Sequence, residues 1–212
     1  MYKQKEVKER VELLHKKEGA YSANGNWHFL LYLVGLVAAV LAIRAFVFEP
    51  IRVDGESMQN TLQDGERCFV EKVSYWFSGP KQGDVVIVHY PGRGNTTFVK
   101  RVVATAGQTI EIRPDADRSD NGGYTVYIDG EPLDESAYSE GFRLDDGAYT
   151  LVRGRNGENY VTVPEGCVFV MGDHRTNSHD SRMPNVGAIP LSDVLGRVRG
   201  VMYPVKAVRP VK

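Results

Sequence analysis

Three segments of this chain hold residues whose types and spacing could do chemistry. The first is Val53-Asp54-Gly55-Glu56-Ser57-Met58-Gln59-Asn60-Thr61-Leu62. There a serine follows a strand and a tight turn, which can expose its hydroxyl, although a serine in a turn is commonly a turn residue and nothing more. The second is Thr97-Phe98-Val99-Lys100-Arg101-Val102-Val103-Ala104. Strand alternation puts Phe98, Lys100, Val102 and Ala104 on one face, so Lys100 sits among apolar neighbours. Burial can lower a lysine pKa from about 10.4 by up to about three to five units. A neutral amine can then act as general base toward a serine hydroxyl. The alternative is a lysine at a sheet edge that snorkels to water. The third segment, Gly172 to Arg182, is a dense polar loop directly after an apolar strand, a common place for a site. Its Asp173, His174, His179 and Asp180 could be read as metal ligands, but their spacing matches no standard motif. It could also be a solvent loop tied by Asp180–Arg182 contacts.

The elements that must position these residues are short. After Pro50 the pattern turns to period two, with candidate strands at 51–54, 67–73, 84–90, 97–104, 108–113, 124–129, 149–153, 159–163, 167–171 and 194–203. Gly, Pro, Asn and Asp cluster between them, which predicts a mainly β domain. Residues 114–123 and 134–147 read as polar loops. Residues 113–162 hold few groups that could do chemistry and read as an inserted, non-catalytic β subdomain. Within it, Ile128-Asp129-Gly130-Glu131 is a hairpin turn.

Upstream of Pro50 the chain is different. Residues 3–18 predict an amphipathic helix stopped by Gly19, and 20–26 a polar linker. Phe29 to Ile43 then carries fifteen residues without a charge. With its flanks to Phe48 this is enough to cross a bilayer core, which takes about 20 apolar residues, so a single transmembrane anchor is predicted over 29–48. Six basic residues in 1–28 argue for a cytoplasmic N-terminus. Residues 49–212 then form one extracytoplasmic domain. From residue 29 on, 20 basic residues face 23 acidic ones. The whole chain has a net charge of −1, which argues against nucleic-acid binding. At 42% hydrophobic residues, the composition also excludes a disordered acidic tail. Cys68 and Cys167 both sit in strand-like runs, and sequence leaves their pairing open.

In the order Ser-Met, Lys-Arg, Gly-Asp-x-Arg-x-x-Ser-x-Asp-Ser-Arg, after an anchor, the chain resembles the type I signal peptidases, membrane-bound Ser/Lys proteases. The carrying motifs are Gly55–Leu62, Gln82–Val88, Phe98–Ala104 and Gly172–Arg182. The resemblance implies Ser57 as nucleophile and Lys100 as general base. It implies Ser178 as the hydroxyl that orients the lysine, and Asp180 with Arg182 as a structural salt bridge. Val53, Met58, Leu62, Phe98 and Val99 fall where the family builds small pockets for the −1 and −3 residues of an Ala-x-Ala site. It further implies removal of signal peptides from exported preproteins at the plasma membrane. No metal or other cofactor, nucleic acid or obligatory protein partner is implied; the lipid bilayer and the preproteins are the expected partners. Ser74-Tyr75-Trp76-Phe77-Ser78 reads either as an interfacial loop or as core packing.

Three departures stand out. Asn60 replaces the family's proline, which loosens the turn. Gly55 stands where some members use a serine side chain in the oxyanion hole. His174 replaces the usual asparagine. The rival functions are a catalytically inactive anchored β domain that binds exported proteins, a self-cleaving transcriptional regulator, and a metal hydrolase. The regulator would need a DNA-binding module where this chain has its apolar stretch.

Overall fold

The computed structural model describes residues 2–90, 94, 96–114, 123–139, 142–143 and 160–211. The chain falls into two compact units, Met1–Phe46 and Val47–Lys212. The first is one helix, α1 (Tyr2–Phe46). The expected stop at Gly19 and linker at 20–26 are therefore corrected: the helix runs through both. An interior glycine costs a helix only about 1 kcal/mol, and no proline precedes Pro50. Among the described residues no helix is long and apolar enough to cross a membrane.

The second unit is built from antiparallel strands. In chain order they are β1 (Phe48–Arg52), β2 (Arg67–Glu71), β3 (Val85–His89), β4 (Thr97–Thr105), β5 (Thr109–Pro114), β6 (Gly123–Ile128), β7 (Glu131–Pro132), β8 (Phe142–Arg143), β9 (Tyr160–Thr162), β10 (Cys167–Met171), β11 (Ile189–Pro190), β12 (Val194–Tyr203) and β13 (Arg209–Pro210). One sheet runs β1-β2-β12-β3-β4-β10-β11, with β13 beside β12; the other runs β7-β6-β5-β9, with β8 beside β6. Nine of the ten strands expected from alternation correspond to these elements. The tenth, at 149–153, lies outside the described residues.

The second sheet is hung between two neighbours of the first. The chain leaves at the end of β4, builds β5 to β9, and returns on β10, which pairs with β4 through Val168↔Thr105 and Phe169↔Ala104. The junction is apolar: Val103, Ala104, Phe169 and Met171 share a core with Ile110, Ile112, Val126 and Ile128. The β6–β7 turn is the expected hairpin, with Asp129 and Gly130 both at positive φ as its two central positions require. A second core, including Val53, Met58, Leu62, Val70, Val85 and Ile87, underlies the segment after β1.

A short helix, α2 (Ser74–Phe77), follows β2. Tyr75 packs against the Val86, Val88 and Val102 cluster, and its hydroxyl donates to Asp84 at 3.1 Å. Phe77 points the other way and is 85% exposed. One aromatic of this segment therefore serves the core and another stays outside it. Cys68 and Cys167 are both free thiols, and burial pushes the Cys68 thiol up to about 11.

Candidate active site

β4 carries Lys100 into the interior. Its partners are β3, in the register Val86↔Lys100, and β10, which begins to pair only at Arg101. Two residues away on either side along the strand stand Phe98 and Val102, and Lys100 is 2% exposed. Burial lowers its pKa to about 8; Asp180 and Asp173 pull the other way and Arg182 adds to the fall. An amine of this kind has a minor but appreciable neutral fraction near physiological pH, and that fraction is able to accept a proton.

The turn after β1 brings Ser57 to that amine. The Lys100 Nζ–Ser57 Oγ distance is 2.6 Å; Nζ also donates to Val99 O at 3.0 Å. The turn is built by Gln59 N–H to Glu56 O, and by Thr61 and Leu62 N–H to Met58 O. Gly55 enters it at φ +99°, a conformation that glycine adopts at no steric cost and other residues rarely adopt. Its N–H donates to Asp64 Oδ1 at 2.9 Å. Glycine here is thus explained by the backbone.

The third segment fastens the Ser57 turn. Gly172 lies against Ser57: a Cβ on Gly172 would stand 2.5 Å from Ser57 O. His174 N–H donates to Ser57 O at 3.1 Å, and the His174 ring meets Glu56 O at 3.2 Å. Asp173 holds the turn at three further points. Its N–H reaches Met58 Sδ at 3.4 Å, its carbonyl accepts from Asn60 Nδ2 at 3.3 Å, and its carboxylate accepts from Thr61 Oγ1. Asn60, expected to loosen the turn, ties it down through its side chain.

Two buried ion pairs brace this segment. Arg182 grips Asp180 with two bonds of 2.8 and 2.9 Å, and Gly172 N–H donates to Asp180 at 2.9 Å. Burial pushes the Asp180 carboxyl up, but Arg182 and these donors hold it below the usual carboxylate range. Arg101 grips Asp173 with two bonds of 2.8 Å. Sequence reading missed this second pair. Its signal was available: Arg101 lies on a strand whose two faces are both buried, and a buried guanidinium requires an anion. With both carboxylates held by arginines, neither is open to a metal, and among the described residues no cluster of acidic, histidine or cysteine side chains could hold one.

Ser178 is buried beside Gly172. Its hydroxyl favours the charged form of Asp180, yet among the described residues Oγ meets hydrogen-bond geometry toward no group. It is thus near the charged framework without being bonded to Lys100.

A cleft of about 360 Å³ opens at Ser57, lined among others by Ile51, Val53, Met58, Ile87, Phe98 and Val99. Four of the five residues expected to form pockets are in its wall. Leu62 is not: it is fully buried in the core shared by Val53 and Met58. Ile51, Ile87, Thr96 and Thr97 line it as well and were not expected. The cleft runs between β1, an edge strand, and the start of β4, which has no β10 partner before Arg101.

The signal peptidase model of peptidase S26 matches residues 26–203. A probable signal peptidase I-1 of Synechocystis is 38% identical over 190 residues, 84% of this chain and 85% of that protein. A signal peptidase I of Bacillus licheniformis is 38% identical over 176 residues, 82% of this chain and 88% of that one. A crystal structure of a signal peptidase I from Enterococcus faecalis aligns with 57% of this chain and 97% of its own, at 29% identity and a TM-score of 0.39.

Proposed function

The chain belongs to the signal peptidase family, peptidase S26, and from that premise we propose that it removes signal peptides from exported preproteins by a Ser57–Lys100 dyad. That it is a serine endopeptidase of the signal peptidase I type follows from the family. The dyad rests on one observation above all, the 2.6 Å contact between Ser57 Oγ and a buried Lys100.

In the proposed reaction, neutral Lys100 takes the Ser57 proton as Oγ attacks the scissile carbonyl. The amine returns that proton to the leaving nitrogen, and an ester remains on Ser57. Lys100 then activates a water, which hydrolyses the ester and frees the serine. Among the described residues the Ser57 N–H has no acceptor, which suits it to the developing oxyanion. Asp180 and Arg182 hold the Gly172 segment in place, and Ser178 fills the space beside it.

The substrate adds as a strand between the free edges of β1 and β4, where main-chain bonds supply affinity. Val53, Met58, Phe98 and Val99 shape the small −1 and −3 pockets, which suit Ala-x-Ala. Leu62 supports them from below. Residues 1–28 are cytoplasmic, 29–48 anchor the chain, and 49–212 form the extracytoplasmic catalytic domain, with 113–162 inserted. Support for the anchor comes from the uncharged run Phe29–Ile43, whose large apolar side chains stand exposed. The reading is tested with full-length protein in detergent and a preprotein carrying Ala-x-Ala. Mass spectrometry should find cleavage after the second alanine by the native chain and none by Ser57→Ala. An intact preprotein with folded native enzyme would contradict it.

A further inference from the structure

We infer that a turn of the inserted subdomain is a positioning element for the nucleophile: Glu135 and Tyr138 hold two buried arginines, Arg175 and Arg101, that fix the Gly172–Asp173 strip to which the Ser57 turn is fastened. The inference deepens the peptidase reading and rests on it for its kinetic test. Glu135 and Tyr138 come from one tight turn, closed by Tyr138 N–H and Ser139 N–H to Glu135 O at 3.0 and 2.8 Å.

Each side chain takes one arginine. Arg175 is 1% exposed. Its Nε donates to Gly172 O at 2.9 Å, and its guanidinium forms an ion pair with Glu135 that is a charge contact rather than an aligned hydrogen bond; burial pushes the Glu135 carboxyl up and Arg175 opposes that rise. Arginine cannot lose its proton in a protein, so the Glu135 carboxyl beside it is the acidic partner that makes Arg175 tolerable beneath Gly172. The Tyr138 ring stacks on Arg101, with the guanidinium carbon 3.9 Å from the ring centroid, and it lies 5.8 Å from that of Arg175. Stacking of this kind orients a guanidinium as well as attracting it. Arg101 in turn presents its fork to Asp173 and donates to Gly83 O at 2.8 Å.

The consequence reaches Ser57 through backbone. Asp173 touches the turn at Met58, Asn60 and Thr61, and Gly172 has no slack against Ser57. If either arginine shifts, the strip shifts, and the dyad opens with it. The insertion, read from sequence as non-catalytic, thus acts on the reaction without touching it.

The test uses full-length enzyme in detergent and two readouts. Tyr138→Leu fills the space without a π face, and Tyr138→Phe keeps the face. We expect Tyr138→Leu to lower kcat on the order of tenfold or more with KM within about twofold, and Tyr138→Phe to restore the native rate. Glu135→Gln should follow Tyr138→Leu, and it replaces Tyr138→Leu should circular dichroism show that variant unfolded. The second readout needs no turnover: the pH midpoint for acetylation of Lys100 by acetic anhydride, followed by mass spectrometry. It should rise by about one unit in Tyr138→Leu, because an opened dyad rehydrates the amine, and stay native in Tyr138→Phe. A folded Tyr138→Leu with native kcat and native midpoint would overturn the inference. If the native chain cleaves no preprotein, the peptidase reading fails, and the midpoint alone then upholds or overturns the positioning role.

Discussion

Gly172 and Ser57 approach so closely that no side chain fits between them: a Cβ on Gly172 would lie 2.5 Å from Ser57 O and 2.3 Å from Ser178 Oγ. The obstacle is backbone on one side, so repacking cannot relieve it. Gly172→Ala should therefore displace the Ser57 turn. We expect a loss of about 1–3 kcal/mol of stability from overpacking. We also expect a fall in kcat on the order of a hundredfold, the cost of a misplacement of about 1 Å. Chemical denaturation and steady-state cleavage measure the two, and a variant with native kcat would show that the contact does not position Ser57.

Activity should rise with pH through about 8. A lysine acting as general base can take the serine proton only when neutral, and burial brings the Lys100 pKa to about 8. Below that value kcat/KM should fall by about tenfold per pH unit. The same depression works against stability at low pH. Unfolded Lys100 returns to 10.5, so the unfolded state binds more protons between the two values. This group's contribution therefore improves as pH rises from about 8 toward 10.5. Lys100→Arg, which stays charged, should be inactive at every pH.

Asp180→Asn should be destabilised by about 3–5 kcal/mol, because it removes the charge that the buried Arg182 grips with two bonds. In a domain of this size that is roughly a 10 °C fall in Tm or more. Asp180 also raises the Lys100 pKa. In whatever remains folded, the rising limb of the pH profile should move below about 8. A limb at higher pH would contradict the electrostatic role given to Asp180.

Cleft volume should set which residues are accepted. Val53 lies in the wall beside Met58 and is 3% exposed. Val53→Ala should raise kcat/KM for a preprotein with a bulkier −3 residue, relative to alanine, by roughly 10–200-fold. That is the worth of a methylene or two in an apolar pocket. An unchanged ratio would remove Val53 from the pocket.

How far the site was legible depended on the range of the interaction. Strand alternation placed Lys100 on an apolar face because period two is a local property of Thr97–Ala104, and β4 has those bounds within one residue. The helix break at Gly19 was misread, since a lone glycine carries only a weak local penalty. Leu62 was assigned to the pocket wall by the resemblance, because it falls where the family builds that pocket. The turn bond from Leu62 N–H to Met58 O instead carries the chain down, and the side chain is buried in the core. Arg101–Asp173 and Arg175–Glu135 join residues far apart in the chain, and no pattern of spacing announces such pairs. Only the rule that a buried arginine needs an anion pointed to them.

The central claim is that Ser57 and Lys100 act as one unit, and the most direct measurement compares Ser57→Ala, Lys100→Ala and the double variant on an Ala-x-Ala preprotein, with and without a chelator. Residues that act together lose their effect together. Each single variant and the double should fall to the same residual rate, and the chelator should change none of them. A folded Lys100→Ala that keeps most of the native rate, or a native enzyme silenced by the chelator, would contradict the dyad.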